Sequence, residues 1–313
     1  MTDLDNLRKF YAQTASRYEA QVVPVFGPLA QSLADWIARC VAAQRTYDLL
    51  DPFDLDESEF SSDLLPPSTP ALTALDVGTG TAILARSLER LLDGAGRITG
   101  MDASPAMLAM AQSYSPAPIR FVQADNHDLP FAANSIHLAV SSFGLNATVP
   151  KKSLRALYRV LRKGRGMLAF QEWSVEDEPS EILDATVADH APPADQVRTI
   201  DEGVIAFNNA QRVWYDLLQD TEDFYELLKA LGFEQVWVKE APFTTVHLPS
   251  VDVFIAYKMG WPVRRLRIEA LAAQDRDAHA AFEADLHDRL RPYTNADGSF
   301  DWSPVLFRVC AVK

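Results

Sequence analysis

The chain has 313 residues, of which 48% are apolar, so it is long enough for one large domain or two smaller domains. Its 43 Asp and Glu residues outnumber its 29 Lys and Arg residues, which gives a formal net charge of −14. A surface this acidic repels phosphate backbones and anionic lipid head groups, so neither nucleic acids nor membranes are expected partners. No stretch has the apolar length of a leader or a membrane span, and the sequence predicts a soluble, cytoplasmic protein.

The two cysteines, Cys40 and Cys310, lie far apart in the sequence and belong to no CxxC or Cys–His pattern. The sequence therefore predicts neither a disulfide scaffold nor a zinc site. It also lacks an HExxH motif and any carboxylate cluster at metal-binding spacing. We expect no bound metal.

Residues 1–50 are predicted to be helical, because apolar residues recur at helical spacing in GPLAQSLADWIARCV. The chain then becomes acidic and, up to residue 70, rich in proline and serine, which is typical of a solvated connection. Residues 1–70 are accordingly predicted to form a helical N-terminal cap and a linker. The main domain is predicted to cover residues 71–313.

Short β-like runs alternate with helical stretches from residue 71 onward. The runs are ALTALD, RITGMD, IRFVQAD, SIHLAVSS and GMLAFQEW. This alternation predicts an α/β fold with a Rossmann-like, doubly wound and mostly parallel sheet. The final run, SPVLFRVCAVK, is predicted to add an antiparallel C-terminal strand. Inserted helices are also expected, with a long helical insertion at roughly 250–292. The pattern is looser after residue 172, and EQVWVKEAPFTTVHL is predicted to form one strand.

Acidic residues end three successive predicted strands, at Asp76, Asp102 and Asp125, with a spacing of about one βα unit. The carboxyl ends of parallel strands meet at one edge of the sheet, where open α/β sheets bind ligands. The three carboxylates are therefore expected along a single edge.

The stretch LDVGTGTA begins like the dinucleotide-binding pattern GxGxxG, but Ile83 occupies the position of the third glycine. A branched side chain there disfavours a pyrophosphate site and, with it, a nicotinamide-dependent oxidoreductase. What remains is an acidic-x-Gly-x-Gly pattern formed by Asp76, Gly78 and Gly80. Glycines allow the backbone to approach a ligand closely. Because a carboxylate repels pyrophosphate and attracts cations, the turn indicates a cationic nucleoside without phosphate.

The series LDVGTGTA, ITGMDASPAMLAMAQ, IRFVQADNHDLPF, IHLAVSSFGLN and LRKGRGMLAF resembles the ordered motifs of class I S-adenosylmethionine (SAM)-dependent methyltransferases. It is most similar to the small-molecule branch, which includes quinone-biosynthesis C-methyltransferases and many natural-product enzymes. The motifs cover about residues 71–172, and FYAQTASRYEA resembles the opening helix of that branch. Many members have glycine where this chain has Ala82. We expect that departure to be mild, because a methyl group adds little bulk.

The resemblance implies that SAM is the cofactor. The backbone of Gly78, Thr79 and Gly80 would pass under its methionine part, with Asp76 near the ammonium group, and Asp102 would accept hydrogen bonds from the ribose hydroxyls. Further implied contacts are Ala103 and Met107 beside the adenine, Asp125 and Asn126 at its exocyclic amine, Ser141 near the transferred methyl, and Tyr11 and Tyr18 over the cofactor. For the two tyrosines, ordinary positions on an amphipathic helix are the alternative.

The implied activity is methyl transfer to a small-molecule acceptor, on oxygen, carbon or nitrogen. A hydroxyl or acidic carbon acceptor needs a base, for which His190 and Glu172 are the candidates. His190 can equally be an exposed loop histidine. The segments near 173–219 and 250–300 are expected to cover the substrate, and their basic run KMGWPVRRLR indicates either an anionic acceptor or a salt-bridged helix face. The alternative function is a non-catalytic, SAM-binding regulatory or partner subunit.

Overall fold

The computed structural model describes residues 3–46, 51–54, 72–92, 96–115, 119–174, 177–197 and 200–313. Most of the predicted linker before residue 71 lies outside the described residues, so the predicted domain boundary stays a prediction. Within the described ranges, no helix is both long enough and apolar enough to cross a membrane.

The chain divides into two compact units. The helical unit comprises Met1–Pro28, Val175–Asn208 and Pro242–Val305. The sheet unit comprises Leu29–Ser174, Asn209–Ala241 and Leu306–Lys313.

Nine strands lie within the described residues. They are β1 Leu72–Val77, β2 Gly96–Asp102, β3 Arg120–Gln123, β4 Leu138–Ser142, β5 Met167–Trp173, β6 Gln235–Pro242, β7 Val246–Leu248, β8 Phe300–Trp302 and β9 Val305–Val312. Seven of them form one sheet in the order β3-β2-β1-β4-β5-β9-β6, in which β1 to β5 pair in parallel and β9 runs antiparallel to β5. This arrangement confirms the predicted Rossmann-like α/β fold with an antiparallel C-terminal strand.

Eleven α-helices lie within the same described residues. They are α1 Asp3–Gln21, α2 Val23–Thr46, α3 Ile83–Leu92, α4 Pro105–Tyr114, α5 Pro150–Val160, α6 Glu178–His190, α7 Glu202–Tyr215, α8 Thr221–Leu231, α9 Val251–Met259, α10 Pro262–Gln274 and α11 Arg276–Leu290. The start of α4 follows from its sequence, since the Ser104 hydroxyl accepts a hydrogen bond from the Met107 N–H and Pro105 occupies the first turn.

Hydrophobic residues cover both faces of the large sheet. One cluster joins alternate strand residues such as Leu75 to Leu157 of α5 and Leu228 of α8. The other cluster joins the opposite strand residues, such as Ala74, to Ile37 of α2. Because successive strand residues point to opposite faces, the continuous apolar character of β1 requires helices on both sides. The sheet is therefore doubly wound, as predicted.

Cys40 of α2 and Cys310 of β9 are distant in the sequence but meet in the fold. Both thiols are free and buried in the cluster that includes α2, and the Cys310 thiol hydrogen-bonds to Cys40. Burial, together with this hydrogen bond, raises the pKa of the Cys40 thiol well above its usual value. Sequence spacing alone carried no sign of this contact.

The segments after β5 contain more regular structure than the sequence indicates. Residues that look loosely patterned form α6 and α7, and the run EQVWVKEAPFTTVHL is divided between β6 and β7. The predicted helical insertion after residue 250 is present as α9, α10 and α11. Its role as a substrate cover stays a prediction.

The arginines of the basic run KMGWPVRRLR are bonded within the helical unit. The guanidinium of Arg264 binds both carboxylate oxygens of Asp184, with one distance of 2.6 Å. Arg267 donates to backbone carbonyls at the end of α6, including the Pro192 oxygen at 2.7 Å. These contacts favour a salt-bridged helix face, one of the two predicted alternatives, over an anion-binding site.

Candidate cofactor site

The turn after β1 contains three residues in the left-handed region. The φ angles are 68° at Gly78, 54° at Gly80 and 66° at Ala82. Glycine adopts such angles freely, whereas an alanine in this conformation costs roughly 1–2 kcal/mol. The sequence-based reason for calling Ala82 a mild departure considered only its bulk. The backbone conformation, and not the size of the methyl group, is what makes glycine favourable at this position.

The glycine turn touches the loop after β4 directly. A Cβ atom added to Gly78 would lie 2.6 Å from the Gly144 Cα atom, and one added to Gly144 would lie 2.4 Å from the Val77 carbonyl oxygen. Neither position therefore tolerates a side chain. Sequence reasoning missed Gly144, although the glycine in SSFGLN was the available signal.

Asp76 is buried at the end of β1, with 1% of its surface exposed. Its Oδ2 atom accepts hydrogen bonds from the Thr79 hydroxyl at 2.7 Å and from the Ala85 N–H at 3.2 Å. Burial raises the pKa of Asp76 to about 7, against the lowering effect of these two donors. The carboxyl thus fixes the turn to the first turn of α3. Its predicted contact with the cofactor ammonium stays a prediction.

Asp102 is half-buried at the end of β2 and joins this strand to the glycine turn. Its Oδ2 atom accepts the Gly80 N–H at 2.9 Å, and its Oδ1 atom accepts the Ser104 N–H at 2.8 Å. Burial raises the pKa of Asp102, while these N–H groups act to lower it. Each carboxylate oxygen keeps further acceptor capacity, which is what a ribose hydroxyl requires.

Two neighbours of Asp102 were predicted to line the adenine. Ala103 is half-buried, whereas Met107 has only 1% of its surface exposed. The Met107 side chain therefore offers almost no surface in this conformation, and its burial is that of a packing residue. Adenine contact by these two residues stays a prediction.

Asp125 and Asn126 follow β3. Asp125 Oδ1 accepts the His127 N–H at 2.9 Å and lies 3.0 Å from the His127 Nδ1 atom. Asn126 donates from Nδ2 to the Gly144 carbonyl oxygen at 3.1 Å. Its Oδ1 atom is buried and has no hydrogen-bond partner among the described residues. Because an unpaired buried acceptor is costly, this position fits a ligand that brings an N–H donor, such as an exocyclic amine.

Ser141 lies at the carboxyl end of β4 and is fully buried. Its hydroxyl donates to the Val77 carbonyl oxygen at 2.7 Å and accepts the Gly144 N–H at 3.2 Å. These bonds hold the loop after β4 against the glycine turn. The predicted position near the transferred methyl stays a prediction.

Glu172 is a buried acid at the end of β5. Its side chain is 0% exposed, and its Oε1 atom accepts the Leu145 N–H at 3.0 Å. The Oε2 atom has no hydrogen-bond partner among the described residues. Burial raises the pKa of Glu172 to about 8, although the N–H of Leu145 and the amide groups of Asn146 act to lower it. At neutral pH this carboxyl is therefore mostly protonated.

Phe143, which follows β4, is a second residue that sequence reasoning missed. Its φ angle is 59°, a strained value for a bulky side chain, and its ring stacks on Trp173 of β5 at 4.3 Å between centroids. The Phe143 N–H donates to the Gln171 carbonyl oxygen at 3.1 Å. Strained residues of this kind cluster at functional sites. No sequence pattern predicts a phenylalanine with a positive φ angle.

The remaining predicted site residues belong to the helical unit. Tyr11 of α1 makes edge-on contacts with Phe10 and Phe207, and Tyr18 makes one with Phe26. His190 lies at the end of α6, where its Nε2 atom is 2.9 Å from the Asp285 Oδ2 atom. Their predicted cofactor and catalytic roles stay predictions. Across the described ranges, no group of three or more His, Cys, Asp or Glu side chains is arranged to hold a metal ion.

The predicted cofactor residues from Asp76 to Ser141 lie in a stretch that is similar to known proteins. Residues 74–164 match the family model described as Methyltransferase domain. The ubiquinone/menaquinone biosynthesis C-methyltransferase UbiE of Klebsiella pneumoniae is 35% identical over 105 residues, which cover 32% of this chain and 42% of that protein. The corresponding protein of an Enterobacter species is 33% identical over the same length. The matched part thus spans about two-fifths of these relatives.

Among solved structures, a SAM-dependent methyltransferase of Thermotoga maritima, described as a possible histamine N-methyltransferase, aligns over 100% of both chains with 13% identity and a TM-score of 0.46. A phosphoethanolamine N-methyltransferase of Haemonchus contortus in complex with SAM aligns over 79% of this chain and 50% of that one, with 21% identity and a TM-score of 0.44. These weak likenesses add nothing to the match in sequence. Residues 74–164 are therefore similar to a methyltransferase domain, and this part of the chain is also the part that resembles the quinone-biosynthesis C-methyltransferases.

Proposed function

We propose that the protein transfers a methyl group from SAM to a small-molecule acceptor. The observation that carries this proposal is the bond between the Gly80 N–H and the Asp102 carboxylate, which joins the turn after β1 to the tip of β2. This bond fixes a carboxylate with spare acceptor capacity beside a glycine backbone. A ribose held at that carboxylate would have the turn directly next to it.

The chemistry of the available groups supports a nucleoside without phosphate. Asp102 retains acceptor capacity, and Asn126 has an unpaired Oδ1 atom among the described residues. Both groups accept hydrogen bonds, which suits ribose hydroxyls and an adenine amine. A pyrophosphate, by contrast, would be repelled by a carboxylate at Asp102.

Different residues of the sheet unit would hold the donor, exclude water and handle a proton. When bound, SAM supplies a methyl carbon already activated by a positive sulfur, so the protein mainly holds the reactants in line. Asp102 and the glycine turn would hold the donor side, while Phe143 and Trp173 would exclude water beside it. Glu172, and not His190, whose ring is hydrogen-bonded to Asp285, is the better candidate to handle a proton, because it lies at the edge of the same sheet as Asp102.

The net charge and the free thiols support a class of acceptor and a cellular compartment. A net charge of −14 supports a small-molecule acceptor over a nucleic acid. We assign the activity to the cytoplasm, since two free thiols suit a reducing compartment.

Two measurements test the proposal. Calorimetric titration should give saturable binding of S-adenosylhomocysteine and none of NAD, whereas NAD binding without a response to the thioether would overturn the assignment. Incubation with methyl-labelled SAM and a metabolite extract should then yield a labelled small molecule. Thioether binding without any labelled product would favour the non-catalytic SAM-binding subunit instead.

A further inference from the structure

The peptide group between Gly144 and Leu145 is hydrogen-bonded on both sides. Its carbonyl oxygen accepts from Asn126 Nδ2 at 3.1 Å, and its N–H donates to Glu172 Oε1 at 3.0 Å. These bond lengths keep the Asn126 amide nitrogen and the Glu172 oxygen within roughly 9 Å of each other. One rigid peptide thus connects the residues that follow β3 with the end of β5.

Both side chains leave one buried polar atom unpaired among the described residues, at Asn126 Oδ1 and Glu172 Oε2. The two atoms differ in chemistry. The amide oxygen can only accept a hydrogen bond, whereas the carboxyl oxygen can hold or release a proton. A buried carboxyl with a free oxygen is the arrangement expected of a group that exchanges a proton with a bound molecule.

We infer that Glu172 is the catalytic residue that accepts the proton lost by the methyl acceptor, and that the acceptor therefore carries a dissociable proton on oxygen or on an activated carbon. This inference rests on the proposed methyl transfer. Phenols and 1,3-dicarbonyl compounds belong to this class, whereas tertiary amines and thioethers do not.

The atoms and electrons of the step balance within the two substrates and Glu172. A bond forms between the acceptor oxygen or carbon and the methyl carbon, and the methyl carbon–sulfur bond breaks with its electron pair passing to sulfur. The proton of the acceptor moves to the Glu172 carboxylate and leaves to water after product release. Transfer therefore requires the ionised form of Glu172 before the acceptor loses its proton.

Glu172 Oε2 is buried in this conformation, so an acceptor reaches it only after a local rearrangement. We take the loop 143–146 as the part that shifts, because its Leu145 N–H is bonded to the same carboxyl group. The strain at Phe143 makes such a shift less costly, because a residue held in a sparsely populated backbone region carries about 1–3 kcal/mol. The bond from the Phe143 N–H to the Gln171 carbonyl oxygen and the ring stack on Trp173 oppose it. The loop is also held by the Ser141 hydroxyl and by both hydrogen bonds of the Gly144–Leu145 peptide, so a shift that exposes Oε2 must break some of these bonds.

The test compares wild-type protein with Glu172→Gln, using SAM with a panel of phenols, 1,3-dicarbonyls, tertiary amines and thioethers. The matched control is Glu226→Gln, which neutralises an exposed carboxylate on α8. We expect wild type and control to methylate acidic probes with a rate that rises with pH up to about 8. Glu172→Gln should lose about 100-fold or more of this rate, and the pH dependence with it.

Two readouts separate catalysis from support of the fold. S-adenosylhomocysteine affinity and the unfolding midpoint at pH 7 should show no loss in Glu172→Gln. If Glu172 only supported the fold, the substitution would lower both. A difference infrared spectrum of wild type minus Glu172→Gln should show a protonated carboxyl band at pH 6 that disappears above pH 8.

Several results would overturn the inference. They are wild-type rates in Glu172→Gln, transfer to tertiary amines or thioethers alone, and no carboxyl band at pH 6. No transfer to any probe, or a failure to bind S-adenosylhomocysteine, would instead refute the proposed function itself, so the two failures are distinguishable.

Discussion

Gly80 and Asp102 are 22 residues apart in the chain, yet the Gly80 N–H donates to the Asp102 Oδ2 atom at 2.9 Å. The bond exists because β1 and β2 are parallel neighbours, which brings the turn after one strand beside the tip of the other. The same carboxylate also accepts the Ser104 N–H that precedes α4. One side chain therefore organises two loops at the carboxyl edge of the sheet.

Replacing Asp102 with alanine should weaken S-adenosylhomocysteine binding by about 1–3 kcal/mol, because charged hydrogen bonds to the ligand and to the turn are both lost. Calorimetric titration measures this change. Asp128→Ala, which removes a nearby exposed carboxylate, should leave the affinity unaltered. Equal affinities for Asp102→Ala and wild type would show that the ribose lies elsewhere.

Gly144→Ala should destabilise the protein by about 1–3 kcal/mol or more, since the new methyl group would press on the Val77 carbonyl oxygen and the Gly78 backbone. Urea unfolding gives the change in free energy. Gly27→Ala is the comparison, because no atom lies within 4 Å of its added methyl group and its φ angle is ordinary. That helical substitution should be neutral or stabilise by about 0.5–1 kcal/mol. Similar losses in both variants would contradict the close approach.

Glu172 should make the stability depend on pH. Its pKa is raised from 4.5 to about 8 in the fold, so the native state holds a proton that the unfolded chain has already released between these values. The free energy of unfolding contributed by Glu172 therefore falls as pH rises from about 4.5 to about 8 and stays low above it. Glu172→Gln lacks this loss, and its stability relative to wild type should increase between pH 6 and pH 9.

Urea titrations at these two pH values measure the effect. Asp76 titrates in both proteins, so its contribution cancels in the difference. Glu226→Gln should follow the wild-type curve at both pH values. If the Glu172→Gln and wild-type curves ran parallel, the carboxyl would be ionised throughout.

Cys40 and Cys310 should resist thiol reagents in the native protein. Both side chains are buried, and the raised pKa of Cys40 keeps it in the unreactive thiol form. An Ellman titration should detect almost no thiol before denaturation and both thiols in denaturant. Rapid reaction of either thiol in the folded protein would mean that α2 does not cover this part of the sheet.

The sequence was informative where local chemistry decides the structure. Alternating β-like and helical runs predicted the sheet and its winding, and the pairing of Ser104 with Pro105 is a local sequence feature that accounts for the start of α4. The carboxyl edge was predicted because Asp76 and Asp102 each close a strand. All of these signals depend on neighbours in the chain.

Contacts between residues that are far apart in the chain could not be predicted from the sequence. The Glu172 carboxyl is bonded to the Leu145 N–H, which lies 27 residues away in the chain, and the meeting of Gly78 with Gly144 depends on β1 and β4 being adjacent. The positive φ angle of Phe143 likewise comes from tertiary context that overrides the preference of the residue. Such features carry no periodicity or spacing signal.

The Gly144–Leu145 peptide is hydrogen-bonded through both its carbonyl oxygen and its N–H, and this determines which substitutions at codon 145 affect it directly. Both of its hydrogen bonds use the main chain, so the Leu145 side chain takes no direct part in the linkage between Asn126 and Glu172. Proline at position 145 would delete the N–H, and so would a synthetic ester bond. Other substitutions at this codon act on the linkage only through packing, because the Leu145 side chain is fully buried in the hydrophobic core.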